Sequence, residues 1–385
     1  MTVEEVRDAL IEVMGTEVLT GVPNNLAAPA GSLQTLQGTA SPPTLRLEDT
    51  KYTFKQLHIW RKQIIDLNLA GVMIYDANEG KNNVYLGVGT QAQADAVKDR
   101  LAGLPIPPGA VAVEVVGPYE DYVLRGEELQ RYTAQQLEAA EIQLQPAATQ
   151  SVDGPSIPLV GGVLVTTDKG GCTYGFSAKR NGVLGLVTNY HCTANKARVD
   201  GDIIRQNRQY IGVETVDPPT FYCGIVWGDC RYSDAAFFKN TSGGGRIATP
   251  RIAGTGPGAG DKTYDYSSPV LGILSSTKQN EHYIAVTSRT GFTRLVVSNT
   301  CTFLRTGIFD ISAKRLVTIQ CGAVAKPEGG YPNIDRGDSG SPVITRNASG
   351  AMLVGEIFGG NPVTGGVWMN MGGILRDLGP LTVRW

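Results

Sequence analysis

Histidine is scarce in this chain: three in 385 residues, at positions 58, 191 and 282. With so few, and with no thiol spacing of the zinc type, no metal site is expected. No cofactor is expected either. The glycine-rich run TSGGGRIATPRIAGTGPGAGD at 241–261 does not lie between a strand and a helix, as a nucleotide loop would, and reads as a surface loop. There is no basic excess, since 34 Lys and Arg stand against 36 Asp and Glu, which argues against nucleic acid as a partner. No apolar run is long enough to cross a bilayer, so no membrane partner is expected. Cysteine is missing before residue 172 and then occurs six times, an even number that fits disulfides in an oxidising compartment. The N-terminus, MTVEEVRDALIEVMG, lacks the basic-then-apolar layout of a secretory signal. The cysteines point to a secreted or periplasmic protein, the N-terminus to a cytoplasmic or processed one, and the compartment stays open.

What is present divides near residue 150, giving an expected domain at 1–150 and a second at 151–385. In the first, 54–69 carries apolar residues at helical spacing, and 92–104 reads as a second helix. Strands are expected at 71–77, 83–89 and 110–117, which suggests a small α+β sandwich. Residues 120–143, rich in Glu, Gln, Ala and Leu, read as a further helix. The stretch 145–158, QPAATQSVDGPSIP, has no periodicity and is expected to be an exposed linker. Beyond it, short runs rich in Val, Ile, Thr and Tyr alternate with Gly, Pro, Asn and Asp, the texture of an all-β sandwich or barrel.

Three short stretches carry chemistry. LVTNYHC ends an apolar run at His191, beside Cys192. A lone histidine there is more often structural than catalytic, because a base needs partners. RGDSGSPV, 336–343, places Ser339 between glycines. The N–H groups of Gly337 and Ser339 could form an oxyanion hole, and Gly340 allows a tight backbone around a nucleophile. CRYSDAAFF sets Asp234 at the start of an apolar run. A carboxylate there is either solvated at a strand end or paired, and the Nδ1–H of a histidine is one partner that would make burial tolerable. The order His191, Asp234, Ser339 is that of one class of serine hydrolase and not of two others.

Residues 159–379 resemble the trypsin/chymotrypsin family of serine peptidases, and most of all the bacterial branch that includes α-lytic protease and the streptogrisins. GCTYGFSAKRNGVLGLVTNYHC, SDAAFF, SRTGFT, RGDSGSPV, LVGEIFGG and MNMGGILRDLG are similar to that branch's motifs and come in its order. The resemblance implies an all-β chymotrypsin-like protease domain of two six-stranded antiparallel barrels, preceded by a smaller α+β domain. It implies a catalytic triad of Ser339, His191 and Asp234. It implies disulfides Cys172–Cys192 and Cys301–Cys321. Cys223 and Cys230 would close a short loop with no family counterpart, and spacing alone leaves all the pairings open. His58 and His282 have no evident partners.

There are departures. PLVGGV at 158–163 is similar to the activation sequence of animal trypsins but follows a proline, so it reads as an ordinary first strand. Asp338 is then expected to find other donors, since a buried carboxylate needs them. By the resemblance, Asn333 lies at the base of the substrate pocket and Phe358, Gly359 and Gly360 form one wall. Nothing acidic sits at the base, so an apolar or uncharged preference is expected. The N-terminal region weakly resembles the prodomains of the α-lytic branch. It reads as a prodomain-like folding aid and inhibitor or as a permanent recognition or regulatory domain, and contact between the two domains is expected in the intact chain. The functional expectation is a serine endopeptidase acting on protein or peptide substrates and held latent by its N-terminal domain. The rivals are a catalytically silent protease fold used for binding and an esterase on the same fold.

Overall fold

The computed structural model describes residues 51–385, apart from 79, 118–119, 122–129, 131–149, 155, 157, 196, 224–227, 242–246, 257, 311–314 and 362–364. The N-terminal unit opens with helix α1 (Phe54–Asp66). Thr53 caps it: its hydroxyl accepts the Gln56 N–H while the Gln56 side chain accepts the Thr53 N–H, so two donors that the first turn leaves unpaired are met. Strands β1 (Val72–Asn78) and β2 (Asn83–Val88) form a hairpin, and helix α2 (Gln91–Leu101) returns the chain to β3 (Val111–Val115), parallel to β2. Lys98 and Arg100 lie in the last turn of α2, where cations suit the helix dipole. Ile64, Val72, Val84, Leu86 and Val97 form the unit's own core. The elements expected at 54–69, 71–77, 83–89, 92–104 and 110–117 are therefore present. The helix expected at 120–143 lies almost wholly outside the described residues; its first two form a short strand instead, β4 (Glu120–Asp121), while Gln130 is helical.

The all-β part follows. Its strands are β5 (Gln150–Ser151), β6 (Leu159–Gly161), β7 (Leu164–Thr166), β8 (Gly171–Thr173), β9 (Phe176–Arg180), β10 (Val183–Asn189), β11 (Ile203–Gln206) and β12 (Gln209–Val216). Then come β13 (Phe221–Tyr222), β14 (Asp229–Arg231), β15 (Ala235–Asn240), β16 (Ala248–Thr255), β17 (Thr263–Ile273), β18 (His282–Thr287), β19 (Gly291–Asp310) and β20 (Arg315–Pro327). The chain ends with β21 (Pro342–Asn347), β22 (Gly350–Asn361), β23 (Gly365–Asn370), helix α3 (Met371–Leu378) and β24 (Leu381–Thr382). The first sheet is antiparallel in the order β24-β9-β10-β15-β12-β11-β7-β8. In the second, β19-β20-β23-β22-β21-β18 close on one another through antiparallel pairs, the last joining β18 back to β19. This is one of the two six-stranded barrels expected, with Tyr283, Leu295, Val343 and Trp368 inside it, whereas the first sheet has eight strands and no pair among the described residues joins its ends. A larger apolar cluster, with Phe176, Val187, Phe237, Leu353 and Phe358, spans residues of both sheets.

Two expectations change. Only 242–246 and 257 of the glycine-rich run fall outside the described residues, and Ala248–Thr255 is a strand, because Ile252 and Ala253 are fully buried between β6 and β17. Likewise the described part of the linker is anchored. Gln150 and Ser151 pair with β17, Val152 exchanges backbone bonds with Lys262 and Leu164, and Val152 and Ser156 are fully buried.

The N-terminal unit is joined to the barrel by strand pairing. β19 and β20 run on past the barrel as a hairpin, and β1 adds to its β19 edge with Ile74 opposite Leu304 and Tyr75 opposite Phe303. The other edge, on β20, is taken by β14. Ile74 and Leu304 belong to the large apolar cluster. Ile74→Ala is therefore expected to cost about 2–5 kcal/mol, whereas Ile59→Ala, at a position 46% exposed, should stay within about 0.5 kcal/mol. Denaturant unfolding of the two variants measures the contrast.

Candidate active site

Strand β10 buries residues 185–189 in succession and then stops in a single 3-10 turn, Tyr190–Cys192, which carries His191. Its neighbour β15 pairs antiparallel, with Asn189 opposite Ala235. That register sets Asp234, one residue earlier, against the turn. Three bonds fix the juxtaposition: the Tyr190 N–H and the Asn189 amide donate to the Asp234 carbonyl at 2.9 and 3.0 Å, and the His191 N–H donates to Asp234 Oδ1 at 3.1 Å. Asp234 Oδ2 is left for His191 Nδ1, which it meets in a short hydrogen bond. A carboxylate only accepts, so Nδ1 carries the proton and Nε2 is an acceptor. Nε2 lies 2.8 Å from Ser339 Oγ. All three side chains are fully buried in the intact chain.

Ser339 sits on a loop held from behind. Gly337 has φ +98°, and Thr173 Oγ1 and Ser288 Oγ donate to its carbonyl at 2.8 and 3.3 Å. The Thr173 N–H donates to the Ser339 carbonyl at 2.7 Å. Gly340, at φ +88°, could carry no side chain: a Cβ there would stand 2.2 Å from Thr173 O and from Thr188 Oγ1. Asp338, fully buried, finds the donors expected of it. Arg289 N–H and Thr290 N–H reach Oδ1 at 3.0 and 3.1 Å, while Asp335 N–H, at 2.9 Å, and the Thr290 hydroxyl reach Oδ2. Burial pushes this carboxyl up, and these donors oppose the push. The N–H groups of Gly337 and Ser339 have no acceptor among the described residues.

The six cysteines form Cys172–Cys192, Cys223–Cys230 and Cys301–Cys321. The first ties the His191 turn to β8. Ligand atoms of Cys172, His191 and Cys192 do cluster, but both sulfurs are in the disulfide and both ring nitrogens are engaged. The other histidines do have partners: Arg61 lies 3.2 Å from His58 Nδ1, and Glu328 lies 3.3 Å from His282 Nδ1. Among the pocket residues, Asn333 is half-buried and lines an open cleft of about 670 Å³ with Arg289, Tyr331 and Asp335. Phe358 is 3% exposed and packs into the apolar cluster. Gly359 and Gly360 pair antiparallel with β4, opposite Asp121 and Glu120.

One acidic residue at the site escaped the sequence. Glu356, on β22, is fully buried, neither of its carboxyl oxygens has a partner, and it fills the space that a side chain on Gly175 would need. Burial first, and then the charge of Asp234, hold its carboxyl well above the ordinary glutamate value. Both effects favour the neutral form, which would spare Asp234 a second negative charge nearby. In strand AMLVGEIFGG nothing marks which way Glu356 faces.

No protein-family model matches the chain, and no curated protein matches it. Solved structures are similar to part of it. Thermobifida fusca protease A shares 17% identity, covering 58% of this chain and 97% of its own, with a TM-score of 0.42. Nocardiopsis protease (NAPase) shares 21%, covering 59% and 100%, at 0.41. Alpha-lytic protease homolog N4 shares 16%, covering 59% and 100%, at 0.40.

The buried acid has a measurable consequence. The unfolded chain releases the Glu356 proton near pH 4.5 while the folded chain keeps it, so stability falls as pH rises from there toward the raised value. Glu356→Gln is expected to remove a slope of up to about 1.4 kcal/mol per pH unit over that window. Unfolding midpoints of the two proteins from pH 4 upward should diverge in the variant's favour.

Proposed function

We propose that this chain is a serine-type endopeptidase held latent by its own N-terminal segment. The observation that carries the reading is the unbroken run from Asp234 through His191 to Ser339 Oγ. In the reaction, Ser339 Oγ attacks the scissile carbonyl as its proton passes to His191 Nε2. Asp234 holds the ring in the required tautomer and stabilises the imidazolium. The N–H groups of Gly337 and Ser339 receive the developing oxyanion. His191 then gives the proton to the departing amine, and water clears the acyl-enzyme by the same steps reversed. Tetrahedral charge develops against donors that are already in place, so no reorganisation is needed at that moment.

An extended substrate would add as a strand to Gly359 and Gly360. β4 lies along those residues in the intact chain, and that pairing supports latency. Asn333, neutral, is consistent with an uncharged residue on the substrate side of the bond. The boundary between the latency unit and the peptidase falls, on this reading, between β4 and β5, where 150–158 already belongs to the β domain.

Ser339→Ala should abolish peptide cleavage with almost no change in thermal midpoint. Asp234→Asn should keep the fold and lower turnover about 10³–10⁴-fold, and Asp229→Asn should be mild. Near wild-type cleavage by the Ser339 variant would end the peptidase reading, and ester hydrolysis without any peptide cleavage would favour the esterase. Latency has its own test. Proline lacks the N–H that a ladder needs, so the double variant Glu120→Pro, Asp121→Pro should cleave a peptide substrate faster than the intact chain. Equal rates would show that β4 does not restrain the site.

A further inference from the structure

Arg231 is the one fully buried cation among the described residues, three positions before Asp234. Two of its guanidinium nitrogens are hydrogen-bonded and the third, without a hydrogen bond, faces a carboxylate. Nη1 donates to Asp217 at 2.8 Å, Nη2 donates to the Ala235 carbonyl at 2.9 Å, and Nε lies 3.8 Å from Asp377. Its flat face lies 3.9 Å from the ring centre of Tyr190. Asp377 in turn accepts the N–H and hydroxyl of Ser233 at 2.7 and 2.8 Å, and Asp217 accepts the Arg198 N–H at 3.0 Å. Burial works against the charged guanidinium, but Asp217, Tyr190 and Asp377 outweigh it and keep Arg231 charged.

The contacts fall on the residues next to the proposed acid and base. Ala235 follows Asp234, Ser233 precedes it, and Tyr190 precedes His191. We propose that Arg231 is a positioning residue for the His191–Asp234 pair, clamping the turn that carries one to the strand end that carries the other, with Tyr190 as the stacking face and Asp217 and Asp377 as anchors. The inference rests on the serine hydrolase reading for its effect on rate, though not for its effect on the His191–Asp234 bond. An arginine suits the role where a lysine does not. Its planar fork serves a carbonyl and a carboxylate at once and still offers a face to an aromatic ring. A shift of about 1 Å at such a site can cost on the order of 100-fold in rate. The clamp also sits where the N-terminal unit has purchase. β14 contains Arg231 and pairs with the hairpin strand β20, while Cys230 lies in the apolar core of the N-terminal unit.

The test uses the full-length chain with the β4 pairing released by Glu120→Pro and Asp121→Pro, and p-nitrophenyl acetate, an ester small enough to need no strand pairing. Arg231→Met should lower the acylation rate about 10–100-fold, with the saturation constant unchanged, and Arg231→Lys should recover only part of the loss. In an Asp234→Asn background Arg231→Met should add less than about a twofold loss, because a residue acting through Asp234 has nothing left to act through. A wild-type rate in folded Arg231→Met, or the same loss in both backgrounds, would overturn the proposal. Tyr190→Leu removes the ring and leaves the ion pairs, and serves the same cycle if Arg231→Met does not fold. Independently of turnover, the low-field proton resonance of His191 Nδ1–H should shift or broaden in Arg231→Met and Tyr190→Leu, and an unmoved resonance in both would overturn it too. If the chain with β4 released shows that resonance but no acylation, the hydrolase reading fails and the clamp is judged on the resonance alone.

Discussion

An ionised carboxylate buried without donors costs more than the whole net stability of an ordinary domain. Asp234 is fully buried, so the architecture around it is one of donors. The backbone N–H of His191 meets one oxygen and the imidazole N–H the other. This requirement explains why β10 must end where β15 begins, and why the turn between Asn189 and Cys192 is fastened by backbone, side-chain and disulfide bonds at once. Once the imidazole is committed through Nδ1, its other nitrogen can only accept, and Ser339 stands where that acceptor points. Asp338 presents the same demand on the opposite sheet, and there the donors are backbone N–H groups of the 289–290 turn and the hydroxyl of Thr290.

The N-terminal unit reaches the same site by two routes, both made of strand pairing. β4 lies on Gly359 and Gly360, on the proposed reading the edge to which a peptide would add. β1 extends the β19–β20 hairpin, whose other edge carries β14 and so the segment leading to Asp234. One unit thus pairs both beside the proposed substrate edge and with the hairpin that carries β14. Strand pairing suits both tasks, since it uses backbone groups and asks little of the side chains.

Much of this was legible beforehand, and what was not has physical reasons. His191, Asp234 and Ser339, which the structure brings together, stand out in the sequence because their neighbours are constrained: an apolar strand before the first, glycines around the last, an apolar run after the second. Thr53 and Gln56 announce a capped helix by local chemistry alone. Glu120 and Asp121 looked like the start of a helix, because composition reports intrinsic preference and a two-residue strand exists only through its distant partner. Ala248–Thr255 looked like a loop for its glycines, yet burial of Ile252 overrides them. The stretch 145–158 reads as a linker for its lack of periodicity, although Val152 and Ser156 within its described part are bonded to residues about a hundred positions away. Arg231 and Glu356 could not be read at all. Their roles depend on Tyr190, Asp217, Asp377 and Gly175, which meet them only in three dimensions.

The central claim is that Ser339 is a nucleophile made reactive by His191. The most direct measurement is peptide mapping by mass spectrometry after treatment with a fluorophosphonate, once the β4 pairing has been released. A single adduct on Ser339, lost when His191 is replaced by alanine in a protein that remains folded, is the result this structure predicts. An unlabelled Ser339 in folded protein, or labelling of Ser339 that does not depend on His191, would contradict it.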